Sequence, residues 1–202
     1  ILLEERIKAI RNAGKGKKYD CILGLSGGVD SSYLAFLVKE KKLRPLVVHF
    51  DNGWNNELAV SNIQKVVDRL ELNLTTFVMD WEEFRDIQRA YFEASVLDLE
   101  VPTDHMIFGA LYKIAAKNGI KHIISGNNVA TEWLLPKDWY FSKFDLVNLR
   151  AIHKQFGKKS TDKLPALGVW QMAYYHLILG IQDEKLLDLV DYNKTAAKKY
   201  LM

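Results

Sequence analysis

Leu25-Ser26-Gly27-Gly28-Val29-Asp30-Ser31-Ser32 sits between two patterns of different period. Ahead of it, Tyr19-Asp20-Cys21-Ile22-Leu23-Gly24 reads as a short buried strand. Behind it, Tyr33, Leu34, Leu37 and Val38 recur at helical spacing. The glycines therefore mark the point where a strand turns into a helix. Free backbone N–H groups and the positive end of a helix dipole converge on an anion at such a point. Gly27 and Gly28 lack a Cβ, so an anion can approach the backbone closely. Ser26, Ser31 and Ser32 add hydroxyl donors. Asp30 puts a carboxylate at the helix start, in position to hold a Mg²⁺ that in turn holds phosphate oxygens. The plainer reading is a hydrophilic turn with Ser or Asp capping a helix.

Outward from this elbow the chain alternates. Leu2 to Ala13 is expected to be an amphipathic helix, with Leu3, Ile7 and Ile10 on one face. Leu46-Val47-Val48-His49-Phe50 is a continuous apolar run, as in a strand covered on both faces, and Asp51-Asn52-Gly53 ends it with turn chemistry. Ile63, Val66, Val67 and Leu70 mark a helix, Leu74 to Met79 a third strand, and Trp81 to Leu97 a long helix. A further helix is expected from about Asp104 to Asn118. His122-Ile123-Ile124-Ser125 follows as a fourth strand, ending in Gly126-Asn127-Asn128. This alternation predicts an α/β fold, a doubly wound parallel sheet with helices on both faces. The aromatic-rich remainder, Trp133 to Met202, is expected to be helices and loops over the open edge of the site.

Ligands of such sheets bind outside the carboxyl ends of the strands. The elbow, Phe50 and Asp51 closing the second strand, and Gly126 and Asn127 closing the fourth share that edge. Together with Leu25 to Ser32 they form the candidate ligand-binding set, with Asp30 and Ser31 closest to the bound anion.

Composition sets the remaining bounds. The 202 residues suit one domain, and 49% apolar with 26% charged residues is an ordinary globular balance. A net charge of +3 is too small to argue for nucleic acid. Cys21 is the single cysteine, so neither a disulfide framework nor a cysteine metal site can form. That usage suits a reducing, cytoplasmic setting. No run approaches ~18 consecutive apolar residues, so no membrane span is expected. The chain begins at Ile1 and stops soon after an apparent helix, so 1–202 reads as a single domain cut at both ends. His49 on its apolar strand reads as a packed core residue. Asp104 and His105 either cap their helix or face substrate. His122, His153 and His176 show no ligand spacing. The basic stretch from Lys154 to Lys163 reads as a solvated loop.

The elbow differs from the phosphate loop of kinases and GTPases in having no lysine after its glycines. The string Ser26 to Ser32 resembles the pyrophosphate loop of the ATP-pyrophosphatase superfamily, which includes NAD, GMP and asparagine synthetases and several tRNA-modifying enzymes. That resemblance implies a Rossmann-like fold and attack on the α-phosphate of ATP with release of pyrophosphate. The string Ser125-Gly126-Asn127-Asn128-Val129-Ala130-Thr131-Glu132 resembles a segment of NAD synthetases whose final glutamate is a magnesium ligand. It implies that Glu132 pairs with Asp30 on Mg²⁺.

Three strings resemble one branch, the N-acetyl sugar amidotransferases of lipopolysaccharide and surface-glycan synthesis. They are Asp51-Asn52-Gly53-Trp54-Asn55, Ser125 to Trp133, and Asp145 to Gly157 with Leu149-Arg150-Ala151-Ile152-His153-Lys154-Gln155-Phe156-Gly157. The likeness runs from about Tyr19 to Tyr192-Asn193-Lys194. Two departures stand out: no cysteine pairs precede the first strand, and the branch continues past the final helix. The resemblance implies that ATP adenylates the acetamido oxygen of a nucleotide-linked sugar and that ammonia then displaces AMP, leaving an acetamidino group. Gly27, Gly28 and Val29 amides with Ser26, Ser31 and Ser32 would hold the departing pyrophosphate, and no residue stands out as one that must be a general base. Ammonia would come from glutaminase and cyclase-like partner subunits. Self-association stays open, and neither a membrane nor nucleic acid is expected as a partner. The rival readings are a tRNA-modifying or NAD/GMP-synthetase-like enzyme, and a non-catalytic ATP- or AMP-binding module.

Overall fold

Every second residue of β1 (Cys21–Gly24) feeds a different core. Cys21 and Leu23 point into one, with Ile7 and Ile10 of α1 (Leu2–Ala13) and Leu34 and Val38 of α2 (Val29–Glu40). Ile22 points into the other, with Leu111, Tyr112 and Ala115 of α5 (Val101–Lys117). A strand apolar at successive positions has to be covered on both sides, and β1 is. The same split runs through β2 (Pro45–Asp51), where Val47 faces one core and Leu46 and Val48 the other. The computed structural model describes residues 2–126 and 142–201.

All strand pairs are parallel and the sheet order is β3-β2-β1-β4-β5. β3 (Asn73–Val78) is the largely exposed edge beyond β2. β4 (His122–Ile124) lies on the other side of β1, so the winding reverses between them. α3 (Glu57–Leu70) joins β2 to β3, and α4 (Trp81–Glu93) follows β3. A third apolar cluster joins Phe84, Ile87 and Tyr91 of α4 to Met106 of α5 and to Leu146 and Leu149 of α6 (Leu146–Phe156).

α4 stops four residues short of the expected Leu97. Ser95 adopts a left-handed φ of 53°, and Val96 and Leu99 then pack into the third cluster. The last part of the chain is not helix and loop alone. After α7 (Val169–Ala173) and a π-helical turn at Tyr174–Ile178, β5 (Gln182–Glu184) adds a fifth parallel strand. Gln-Asp-Glu carries no β-branched or aromatic residue, so it gives no strand signal. It is held by pairing with β4 and by His122 Nδ1 and Glu184 Oε1, 2.9 Å apart and buried. A 3₁₀ turn, Leu186–Leu189, places Leu186 and Leu187 in the same core as Ile7 and Ile10 of α1. α8 (Lys194–Leu201) then docks along α2.

Candidate functional site

The elbow leaves β1 along the line of β2, with Leu25 N–H donating to the Val48 carbonyl at 2.9 Å. The Leu25 carbonyl accepts from His49 Nδ1 at 3.2 Å, so this ring nitrogen carries the proton. His49 is buried and lines the site from within the core. Gly27 then takes φ +78°, which L side chains rarely adopt. A Cβ there would stand 2.3 Å from the Ala59 carbonyl oxygen in the first turn of α3. The missing side chain thus admits a neighbouring helix, where the sequence suggested it admitted the anion. Asn62 Nδ2 of α3 donates to the Gly27 carbonyl at 3.3 Å and braces the turn.

Gly28 is the N-cap residue of α2 and has no side chain to cap it. An unfilled helix N-terminus offers backbone donors and a partial positive charge to whatever lies ahead of it. Ser31, buried, closes the elbow on itself. Its Oγ donates to the Gly28 carbonyl at 3.2 Å, accepts from Ser26 N at 3.2 Å and lies 3.1 Å from Ser26 Oγ. Ser32 is also buried. Gly126, after β4, packs so close that a Cβ would stand 3.4 Å from Ser31 N.

A cavity of about 390 Å³ opens at the carboxyl ends of β1, β2 and β4, within the range of small-molecule sites. The elbow forms its polar wall. Phe50 of β2 and Ile107, Phe108 and Leu111 of α5 form an apolar wall opposite. Phe50 stacks on Phe77 with ring centroids 5.5 Å apart and planes 2° from parallel. Asp51 spends Oδ1 on its own turn, accepting from Gly53 N at 3.0 Å and Asn55 Nδ2 at 2.8 Å. Asn52 and Asn55, quoted in the strings after the second strand but not in the candidate binding set, line the cavity in its place.

Asp104 and His105 take different roles. Asp104 lines the cavity and pairs with Lys143, whose ammonium also stands 3.4 Å from Asp98. His105 is fully buried. Its Nε2 accepts from Leu167 N–H at 2.9 Å, so its Nδ1 is the donor to the Lys143 carbonyl at 2.9 Å. Burial holds its pKa below the ordinary histidine value, against the pull of that carbonyl. His105 is thus a structural link between α5 and two loops.

Asp30 reaches residues at the far end of the family likeness, outside the candidate binding set. Tyr192 O–H donates to its Oδ1, and Lys194 Nζ lies 3.6 Å from its Oδ2. Lys194 also lines the cavity and supplies the cation that the elbow itself lacks. Burial, and then the Asp30 hydrogen bond and charge, push the Tyr192 phenol well above the ordinary tyrosine value. A contact across 162 positions has no local sequence signature.

The donor chemistry at Asp30 fits magnesium of one kind. Mg²⁺ is held by one or two carboxylates and otherwise by water and phosphate oxygens. Among the described residues no cluster of three His, Cys, Asp or Glu is placed to hold a metal ion. Asp30 lines the cavity as a hard oxygen donor beside the bare helix end, while Asp104, which also lines it, is paired with Lys143. The set therefore suits a metal that arrives with phosphates. Asn127 and Glu132, the other residues the sequence puts forward, lie outside the described residues. No helix among the described residues is long and apolar enough to cross a membrane.

The profile of the asparagine synthase family matches residues 20–129, which span β1, the elbow, β2, α5 and β4. An uncharacterized protein of Methanocaldococcus jannaschii is 31% identical over 119 residues, covering 57% of this chain and 40% of that protein. A tRNA-specific 2-thiouridylase of Fusobacterium nucleatum is 27% identical over 157 residues, covering 72% of this chain and 44% of that enzyme. The chain thus spans under half the length of these curated relatives. Among solved structures, an NH3-dependent NAD synthetase from Campylobacter jejuni superposes with a TM-score of 0.47 at 20% identity, over 62% of this chain and 55% of that one.

Proposed function

From the premise that the chain belongs to the asparagine synthase family, we propose that it binds ATP at the elbow and activates an amide oxygen as an adenylate. The observation that carries this reading is the bare N-terminus of α2, capped by Gly28 and framed by Ser26 and Ser31, with no lysine in the loop. The β- and γ-phosphates lie on the amides of Gly28 and Val29 and on the hydroxyl of Ser31, which turns from the Gly28 carbonyl to donate to them, with Lys194 as counter-charge. The base and ribose take the apolar wall at Phe50 and Phe108. That pose leaves the α-phosphate facing the acceptor.

The acceptor we propose is the acetamido group of a nucleotide-linked sugar, on the strength of the strings at Asp51 to Asn55 and Asp145 to Gly157. Its oxygen attacks the α-phosphorus and the bond to the bridging oxygen breaks, releasing pyrophosphate. Ammonia adds to the activated carbon, and AMP departs with the former amide oxygen, leaving an acetamidino group. An amide oxygen leaves poorly, and adenylation turns it into a good leaving group. The protein's part is alignment and charge neutralisation. Magnesium, when bound, would neutralise phosphate charge, and Asp30 and Glu132 would hold it. Ammonia-supplying glutaminase and cyclase-like subunits complete the proposal.

The thiouridylase likeness favours a second reading, sulfur transfer to tRNA. Within these 202 residues the one thiol is Cys21, fully buried at the start of β1 with its pKa pushed up by burial. It is a packing residue, so these residues offer no nucleophilic thiol of their own to that chemistry. The test is turnover with a panel of nucleotide N-acetyl sugars, ammonium and ATP. AMP and pyrophosphate are expected, and Asp30→Asn should lower kcat by about 10²–10³. ADP as product, or full activity in Asp30→Asn, overturns the reading.

A further inference from the structure

The Tyr192 side chain is held along its whole length. Its backbone N–H donates to the Val190 carbonyl at 2.8 Å. Next to it, Asn193 Oδ1 accepts from Thr195 N at 3.0 Å and Ala196 N at 3.1 Å, fixing the start of α8. Its ring lies against Tyr33 of α2, centroids 5.5 Å apart. Tyr33 is one helical turn beyond Asp30 on the same face, so the hydroxyl arrives at Asp30 Oδ1 on a rigid, two-torsion side chain. Lys194, by contrast, is 58% exposed at its side chain and stands 3.6 Å off on a flexible stem.

We propose that Tyr192 is a positioning residue for Asp30. Its phenol ties one carboxylate oxygen and so directs the other toward the phosphates and their cation. Lys194 is the movable counter-charge that passes from Asp30 to the incoming phosphate. This rests on the assignment of Asp30 as the magnesium-binding carboxylate. Partners that orient a ligating carboxylate typically account for 10–100-fold in metal affinity.

The experiment is calorimetric titration of the chain with pyrophosphate, in EDTA and in Mg²⁺. The unaltered chain should bind more tightly with Mg²⁺, and Asp30→Asn should lose that increment. Tyr192→Phe keeps the ring and its packing. It should bind pyrophosphate in EDTA within about twofold of the unaltered chain and lose roughly tenfold of the magnesium increment. Tyr33→Phe removes a hydroxyl from the same aromatic group and should change nothing. The double variant Asp30→Asn/Tyr192→Phe should be no worse than Asp30→Asn, because the phenol acts through that carboxylate. If Asp30→Asn loses the increment and Tyr192→Phe keeps it, or if the two losses add, the role of Tyr192 is overturned. If Asp30→Asn itself keeps the increment, the metal assignment falls instead.

Discussion

A methyl group at position 27 has nowhere to go. It would meet the Ala59 carbonyl at 2.3 Å while forcing a left-handed backbone on an L residue. The conformation alone costs about 1–2 kcal/mol. Relieving the overlap requires α3 or the elbow to move. Gly27→Ala is therefore expected to lower the melting temperature by several degrees and to weaken ATP binding at least tenfold. Calorimetry on one preparation reads both, and unchanged ATP affinity would contradict the geometry. Gly28→Ala should be milder, since a Cβ there meets only Ser26 Oγ at an ordinary 3.5 Å. The glycines announce a turn in the sequence, but which neighbour fills the space beside each is tertiary information. The same holds for Asp51, whose type suggested a ligand and whose oxygen closes a turn.

The buried carboxylate of Asp86 fastens α4 to α6 and to the loop after it. It accepts from Arg89 at 2.9 Å, His153 Nε2 at 3.0 Å, and the amides of Lys158 and Lys159 at 2.8 and 2.9 Å. Burial alone would raise its pKa. The Lys159 and Lys158 amides, Arg89 and His153 outweigh burial and hold it well below the usual carboxylate range. A carboxyl depressed in the folded state contributes stability that is whole above its unfolded value, near 4, and is lost as pH falls below that. Thermal melts from pH 7 down to 3 should show this acid limb. Asp86→Asn should flatten the limb and cost about 2 kcal/mol at pH 7. An unchanged limb would assign the acid sensitivity elsewhere. The sequence made Lys154 to Lys163 a solvated loop; Lys154 to Phe156 instead form the last turn of α6, while the lysine side chains beyond it point to water or to surface acids such as Glu82 and Asp80. Composition reports side chains, whereas here the backbone amides make the attachment. Most elements were legible because their hydrophobic period is strong. β5 was not, because partners rather than propensity make it a strand.

One face of the molecule is unusually apolar. No lysine, arginine or acidic residue lies between Lys163 and Asp183. Met172, Tyr175 and Leu179 pack inward, while Trp170 (86% exposed), Leu177 (81%) and Ile178 (72%) stand in solvent. Contiguous exposed apolar surface drives association. The 202-residue chain is expected to self-associate with rising concentration in sedimentation, and Trp170→Lys/Leu177→Lys should reduce this. Neither residue lines the cavity, so ATP affinity should stay within twofold, and a double variant that sediments like the parent would refute the expectation. At this scale the parallel, doubly wound sheet was readable from strand–helix alternation. The order β3-β2-β1-β4-β5 was not, because register is settled between strands up to a hundred positions apart.

Leu186 and Leu187 complete the core that Ile7 and Ile10 begin. A ribosome delivers these ends of one packing unit far apart in time. At about 5–20 residues per second, the roughly 180 intervening residues take between about 9 and 36 s to emerge. Throughout that interval α1 has an apolar underside whose seat is incomplete, so part of that surface stays open to water until Leu187 has been made.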